Sequence, residues 1–550
     1  MTTSKANQLP YSLGKNGMPD NGKSNQGAGK FDFPGTLVGF AIIRHAKCRQ
    51  LMDTFCPFTP SKYRNIDGTC NNLIRPQWGS TNTCLLRLLP PNYGNGFNSP
   101  RLSITNKPLP NPRLVSTSLR QEDPPSDPNI NHLFMAFGQF VAHDLASVPT
   151  EFLRTNTKLE KIMCCDTNFQ HDACLPIDVT KDGFYSFQNV TCLNFVRSAP
   201  CPTCLIGARE QSNKLTAYLD ASQVYGISEK DSKKIRSFSK GRLRVSHKSL
   251  LPDGLMCNPN IRRKCFLAGD TRANENLPLT AMHTLFMREH NRIADQLAEM
   301  HPMWTDRVLF EETKRIVTAE LQVIVYNEYL STLFGVNYTR ERGLNLNKDA
   351  GLLQQKQNKA DEALTGGMAD NMFAFTAHMT GLDLAAINIL RARERGIPSY
   401  NAWRSFCSLN PFTSFEHMNG SMPTRVWTVF KQLYSDVDDV DLFPAGLAEF
   451  KTRGSLVGPT FGCILAHQFS SLRRGDRFFL EVGHQPSSFT HGTMALSVMS
   501  IIFTFLSSQE QVLTLKKSTL SRIICDNSDG RAVDIQPDAF RVPNSAEYSS

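Results

Sequence analysis

The chain has 550 residues, of which 40% are apolar and 20% charged, with 34 Gly and 31 Pro; this ordinary globular composition excludes wholesale disorder, collagen and coiled coil. Its 60 basic and 50 acidic residues give a net charge of +10, mostly scattered, so nucleic acid is not an expected partner. The longest apolar run, Met494 to Leu506, is broken by Ser497, Ser500 and Thr504 and falls short of the ~20 residues that a membrane-spanning helix needs.

Residues 1–46 read as a polar, disordered tail, and residues 47–550 as one large domain. Within the tail, Gly17-Met-Pro-Asp-Asn-Gly22-Lys23-Ser24 matches the phosphate-loop pattern. No apolar strand precedes it and Asn25-Gln-Gly-Ala-Gly stands where a helix must start, so its glycines cradle nothing. Leu37 to Ile43 is too short and too late for a signal-peptide core, and no secretion signal is recognisable. Farther on, Pro punctuates Lys107 to Pro128 and Gly brackets Gly343 to Gly351, and both read as surface connections. Helical periodicity dominates elsewhere. Leu279, Met282, Leu285, Phe286, Ile293 and Leu297 form one apolar stripe, and Leu309, Ile316, Val323 and Leu330 recur every seven residues, predicting two long core-facing helices. Strand-like alternation is scarce, so the fold class is mainly α.

Fifteen cysteines, eight of them between Cys164 and Cys265 and several in close pairs such as Cys164-Cys165, Cys201-Cys204 and Cys257-Cys265, predict a disulfide framework from an oxidising compartment. The glycosylation sequons Asn189-Val-Thr, Asn337-Tyr-Thr and Asn419-Gly-Ser point the same way. One basic cluster stands out. Between Ser232 and Lys248, Lys233, Lys234, Arg236, Lys240, Arg242, Arg244 and Lys248 meet no acidic residue. Such a patch could hold an acidic polysaccharide or nucleic acid, but its Gly and Ser content reads as a solvated, turn-rich connection.

Three stretches carry candidate chemistry. In Asn131 to Pro149, Gln139 and His143 lie four apart on one helical face while Phe137, Phe140, Val141 and Leu145 supply apolar packing, so a polar pair is aimed into an apolar place. In Leu215 to Ser222, oxygen-bearing residues alternate. Thr216, Asp220 and Ser222 turn to one side, backbone carbonyls join them, and Asp144 offers another carboxylate, a set that suits calcium; a strand with a polar outer face is the plain alternative. In Cys265 to Pro278, Arg272 and Glu275 sit in a loop just before a helix start, where side chains project into sites. His283 and His290 are seven apart on that helix, but there is no HExxH arrangement, and structural core roles are expected for both.

Together these stretches resemble the animal haem peroxidase family. Cys56 with Tyr63-Arg-Asn-Ile-Asp-Gly-Thr-Cys70-Asn-Asn, Cys84 to Pro100-Arg101, Asn388 with Tyr400-Asn-Ala-Trp403, Gly475-Asp-Arg-Phe478 and Arg522-Ile-Ile-Cys525-Asp-Asn extend the likeness in order along the chain. The resemblance implies one large, mainly α domain and an extracellular enzyme that uses hydrogen peroxide to oxidise halides, tyrosines or small phenols. By the same resemblance His143 would be the distal base, Arg272 would stabilise developing charge and Gln139 would order water or halide. Glu275 would form an ester to haem b, Asn388 would hydrogen-bond the proximal histidine and Arg391 would face a haem propionate. Asp144, Thr216, Tyr218 through its carbonyl, Asp220 and Ser222 would bind calcium, and extracellular matrix is a candidate partner.

The sequence also departs from the family pattern. Ala142 stands where a second ester-forming acid is usual, so at most one ester link, through Glu275, is implied. Asn276 stands where myeloperoxidase has a haem-linked methionine, and Arg393-Glu394-Arg395-Gly396 replaces the usual Arg-Asp-His-Gly. The Arg-x-Gly-His motif that bears the axial histidine is absent: Asn345 to Gly351 passes directly to Leu352-Leu-Gln-Gln-Lys, and His378, ten residues before Asn388, is the nearest substitute. His491 to Ser508 reads as an insertion without family counterpart. These two departures imply reduced stability and leave a second reading open, a haem-poor extracellular isoform that acts as a binding or adhesion module.

Overall fold

The computed structural model describes residues 55–121, 129–154, 159–166, 168–203, 207–258, 263–346, 381–483, 485–489, 512, 515–530 and 536–542. The phosphate-loop pattern, most of the junction after Leu346, His378 and the insertion at 491–508 lie outside them. The described residues fold mainly as helix, with four two-stranded antiparallel sheets as the only strand pairs longer than single bridges among them. That agrees with the mainly α expectation.

Residues 55–111 run over the surface of the helices with little regular structure of their own. They are fixed by side chains that reach far along the chain. Arg64 donates to both carboxylate oxygens of buried Asp476, at 2.7 and 2.6 Å, and Asn71 donates to the same acid at 2.9 Å. A fork-shaped guanidinium on a planar carboxylate is a directional, charge-assisted pair. It joins the Tyr63–Asn72 and Gly475–Phe478 stretches, over 400 residues apart in sequence.

The Pro-rich stretch from Lys107 is not wholly a surface connection. Helix α1 (Pro112–Leu119) forms within it, because proline at the first helical position loses no hydrogen bond and the Asn111 side chain accepts the Arg113 and Leu114 amides. Val115 and Leu119 are buried, and Arg113 donates to Asp383 at 2.8 Å and to Asp182 at 2.8 Å. Removing the Asp383 carboxylate would break one of the two ion pairs that hold this buried guanidinium and leave Asp182 as its remaining carboxylate.

Helix α2 (His132–Leu145) presents Ala136, Phe137, Phe140, Val141, His143 and Asp144 inward. Two short helices, α3 (Gly183–Phe187) and α4 (Ser222–Tyr225), and α5 (Glu229–Ile235) follow. They lead to the two helices that the apolar stripes predict, α6 (Leu277–Met300) and α7 (Asp306–Val323). Asn276 caps α6 by accepting the Leu279 amide, and Thr305 caps α7. The stripe residues Leu279, Met282, Phe286, Ile293 and Leu297 are buried against α2 and α7. Phe286 stacks on Phe140 with ring centroids 4.9 Å apart, and truncating either ring in this core would cost about 3–5 kcal/mol.

Beyond Val323 the helix widens into a π turn (Ile324–Tyr329), then continues as α8 (Leu330–Phe334) and, after Gly335 at φ 83°, as α9 (Val336–Glu341). The sevenfold repeat therefore keeps Val323 and Leu330 buried across a change of pitch. Leu344 and Leu346 are buried as well, so the start of the Gly343–Gly351 stretch is core rather than surface.

The C-terminal half adds α10 (Leu384–Glu394), α11 (Tyr400–Phe406), α12 (Thr424–Leu433), α13 (Leu442–Ala448), α14 (Pro459–Gly475) and α15 (Leu520–Asp526). Helices α1 and α10–α13 share a second apolar core around Tyr400, Met418 and Phe430. Disulfides Cys56–Cys70, Cys84–Cys201, Cys164–Cys174, Cys165–Cys192 and Cys407–Cys463 staple the fold. Cys164 and Cys165, adjacent in sequence, thus go to different partners, and Cys201 bonds Cys84.

Candidate active site

The site forms where α2 meets the loop before α6. Gln139 and His143 lie one turn apart on α2, as their spacing predicts. The Gln139 amide donates to Glu275 Oε2 at 3.0 Å and accepts from Asn276 Nδ2 at 2.8 Å. His143 Nε2 lies 3.7 Å from the same Glu275 oxygen. Four of the predicted residues are thereby brought together, because Arg272 closes the group. Its guanidinium donates to the carbonyls of Ala146 and His143, at 3.1 and 3.4 Å, at the end of α2.

Arg272 is held by a residue that the sequence reading did not single out. Asp270 accepts Arg272 Nε at 2.9 Å, Nη2 at 2.8 Å and the Arg272 backbone amide at 2.7 Å. Its own amide donates to the Gln223 carbonyl at 3.0 Å. The signal was an acid two residues before the arginine. Asn274 pins the same loop by bonding both backbone groups of Phe266, at 2.8 and 2.7 Å.

Electrostatics favour an uncharged imidazole. Burial and, to a lesser extent, the charge of Arg272 together lower the His143 pKa to about 4, against the opposing pull of Asp270. Burial raises the Glu275 carboxyl, opposed by Arg272 and by the Gln139 hydrogen bond. Asp270 goes the other way: burial would raise it, but the hydrogen bonds and charge of Arg272 hold it below the usual carboxylate range. His143 Nδ1 is buried without a hydrogen-bond partner.

About 100° further round α2, Asp144 is fully buried and faces the 216–222 segment. Its carboxylate accepts the amides of Ala221 at 3.0 Å and Ser222 at 2.7 Å and the Ser222 hydroxyl at 2.7 Å. Thr216 donates its hydroxyl to Asp220 at 2.9 Å. The segment is an irregular turn entering α4, with Ala221 at φ 60°, so the plain-strand alternative is excluded. Tyr218 is turned to a structural task, donating its hydroxyl to the Trp78 carbonyl at 2.6 Å. Burial and Asp220 raise the pKa of Asp144 well above normal, and burial raises Asp220 although Arg64 and Lys314 oppose it. Two buried carboxylates with hydroxyl neighbours fit a divalent, oxygen-seeking cation, which would relieve their mutual repulsion. Among the described residues no cluster of three or more His, Cys, Asp or Glu side chains could hold a metal; here the remaining donors would be hydroxyl and carbonyl oxygens.

The fit to haem can be tested on α2 itself. Met135, Gln139 and Ala142 form its outward stripe, with Met135 52% exposed, and Leu277 beside Asn276 is 76% exposed. An apolar, partly open face with a carboxylate and an amide at its centre suits a flat apolar group. Exposed Ala142 offers no second acid. A cavity of about 570 Å³ lies elsewhere, between Trp78, Tyr218 and Leu472, and includes none of Gln139, His143, Arg272 and Glu275.

Asn388 and Arg391 both lie on α10, where Asn388 is half-buried. Arg391 Nη1 donates to the Val196 carbonyl at 3.0 Å, Ser198 Oγ at 3.2 Å and Glu394 at 2.9 Å, and its guanidinium stacks on Phe195 at 4.1 Å. The unusual Glu394 is fully buried and also accepts the Ser198 amide at 3.1 Å. In Arg393-Glu394-Arg395-Gly396, Arg393 is bound to Asp441, with Nη2 2.6 Å from the carboxylate, so this tetrapeptide serves packing. His290 is a satisfied core histidine, bonded to Tyr225 at 2.9 Å and to the Gly241 carbonyl at 2.8 Å. His283 is buried edge-on against Phe140.

The animal haem peroxidase family model matches residues 63–350 and 349–500, two stretches that meet where the Arg-x-Gly-His motif is missing. The chain is 32% identical to a human peroxidasin homolog across 88% of this chain and 37% of that protein, so it spans little more than a third of that relative. It is also 32% identical to a chorion peroxidase of Aedes aegypti, over 85% of this chain and 67% of the relative. In fold it is similar to peroxidase A of Dictyostelium discoideum (TM-score 0.67, 23% identity, covering 88% of this chain and all of that one). It is likewise similar to a fatty acid alpha-dioxygenase of Arabidopsis thaliana (TM-score 0.65, 17% identity, 92% and 89% covered). With a family match over most of its length and relatives 32% identical over most of the chain, the chain belongs to the animal haem peroxidase family.

Proposed function

We propose that the chain is a peroxidase, using hydrogen peroxide to oxidise halides, tyrosines or small phenols. The observation that carries this reading is the convergence of Gln139, His143, Arg272 and Glu275 on one partly open apolar face. Haem b, when bound, supplies the iron at which peroxide is reduced. His143 Nε2, neutral by burial, accepts the proton of peroxide and returns it to the departing oxygen, while Arg272 stabilises the negative charge that develops there. Gln139 orders water or halide beside them. Glu275 is our candidate for an ester link, and Asn388 and Arg391 are the candidates for the far side, Arg391 through its Nε and Nη2. Asp144, Thr216, the Tyr218 carbonyl, Asp220 and Ser222 are proposed to hold calcium and so to fix α2.

An extracellular setting is proposed on the disulfides among the described residues and on the exposure of Asn189, Asn337 and Asn419, the three sequon asparagines. Among the described residues no helix is long and apolar enough to cross a membrane. A second reading, a haem-poor binding or adhesion module, is favoured by one observation: no Arg-x-Gly-His occurs in the sequence, and without an axial donor the iron is weakly held. One experiment separates the two. Purified chain supplied with haem is read for a Soret band, haem stoichiometry and peroxide-dependent oxidation of a phenol. Stoichiometric haem with turnover that His143→Ala abolishes supports the enzyme; substoichiometric haem without turnover supports the module.

A further inference from the structure

The basic stretch 232–248 is not a loose connection. Its backbone forms a tight hairpin after α5: Arg236 bridges Leu243, the Ser237 amide donates to the Arg242 carbonyl at 2.9 Å, and the Arg244 amide donates to the Ile235 carbonyl at 2.7 Å. The hairpin is bolted to α6 and α7. The Gly241 amide donates to Asp306 at 2.7 Å, the Gly241 carbonyl meets His290 at 2.8 Å, and Arg288 donates to the carbonyls of Ser249 and Lys248 at 3.0 and 3.1 Å. Phe238, Lys240, Lys248 and Ser249 all have positive φ, between 52° and 60°. Four side-chain-bearing residues in the left-handed region within twelve positions store strain that this anchoring must offset.

The charges divide into two groups. Arg236 is paired with Asp306 at 2.7 Å, Arg242 with Asp295 at 3.4 Å and Lys234 with Asp231 at 3.1 Å. Lys233, Lys240, Arg244 and Lys248 are exposed, and among the described residues none of them has a carboxylate within ion-pair distance. His247 is exposed beside them. Four cations without a carboxylate partner among the described residues are thus displayed on the end of α5 and the anchored hairpin that follows it, where an anion would neutralise them.

We propose that this hairpin is a docking surface for a sulfated polysaccharide. A polyanion with closely spaced fixed charges complements a compact cationic patch, and the disulfide-stapled fold places the chain where such polymers occur. A lipid surface fits less well, because the exposed Phe238 ring is covered on one face by Arg236 at 4.9 Å. The proposal does not depend on peroxidase activity.

The test uses the whole chain, with heparin as probe. Wild type should bind heparin in physiological salt with an affinity that falls steeply as salt rises. The quadruple variant Lys233→Gln, Lys240→Gln, Arg244→Gln, Lys248→Gln should bind at least roughly tenfold more weakly. A control that removes the same charge from exposed Lys107, Lys181, Arg453 and Arg474 should stay near wild type. Lys240→Glu alone, at the hairpin tip, gives a second variant with little risk to folding and should elute from heparin at lower salt. Equal losses in patch and control variants would overturn the proposal. So would binding to duplex DNA or anionic vesicles with none to heparin.

Discussion

Asp270 grips Arg272 through three hydrogen bonds, two to the guanidinium and one to the backbone amide. The acid is buried and the arginine partly open, so the pair is a fixed mount rather than a mobile surface bridge. Asp270→Asn keeps the shape but removes the charge and one acceptor. In haem-loaded protein the reaction with peroxide should slow by about 10- to 100-fold, with the KM for the reducing substrate unchanged. Rapid-mixing measurement of the peroxide step checks this, and an unaltered rate would remove Asp270 from the positioning of Arg272.

Calcium should stabilise the fold through Asp144 and Asp220. Both acids are raised by burial, and Asp144 also by Asp220, so a bound cation replaces protons there. Calcium at a hundredfold excess over its Kd should add about 2.7 kcal/mol of stability, lost on chelation. Asp144→Asn should abolish the calcium-dependent part of the rise in Tm. A thermal melt that chelator leaves unmoved in wild type would discard the site.

Gly269 admits no side chain. An added Cβ would lie 2.6 Å from the Val224 carbonyl carbon and 2.7 Å from the Ser222 carbonyl oxygen, both backbone atoms that cannot swing away. Gly269→Ala should therefore separate the Arg272 loop from the Ser222 turn. Expected results are a loss of stability on the order of 1–3 kcal/mol in urea melts and weaker calcium protection in the same variant.

Stability should peak at mildly acid pH. Burial lowers His283 and His290 from 6.5 to about 3, so between those values the unfolded chain binds protons that the folded chain refuses, and stability falls as pH falls. Burial raises Glu320 and Glu328 from 4.5 to about 8, so over that range the folded chain keeps protons that the unfolded chain releases, and stability falls as pH rises. Each group contributes a slope of up to about 1.4 kcal/mol per pH unit. The two pairs oppose each other between 4.5 and 6.5, which is where urea midpoints should be highest. Glu320→Gln with Glu328→Gln should flatten the alkaline limb only.

The helices and the placing of Gln139 and His143 on one helical face were legible because they obey short-range rules. Gln139 and His143 needed only the spacing of a helical turn, and the α6 stripe only its period. What stayed hidden depends on distance in the chain. Nothing in Arg64 announces Asp476, and nothing in Pro112 says that its helix will be covered by α10. Asp270 was overlooked because an acid two residues from an arginine is unremarkable until the loop folds back. The alternating oxygens at 216–222 looked equally like a strand, and only the left-handed Ala221 turn under Asp144 separates the two.

His143 and Asp144 are consecutive, so on α2 their side chains project about 100° apart. One lies beside Glu275 and the other is gripped by the amides of Ala221 and Ser222. The helix therefore works as an axle with two spokes. With side-chain tips some ~6 Å from the axis, a turn of about 10° carries each through roughly 1 Å, a misplacement large enough to slow a proton transfer about a hundredfold. Occupancy of the carboxylate pocket would then set the aim of the imidazole without touching it.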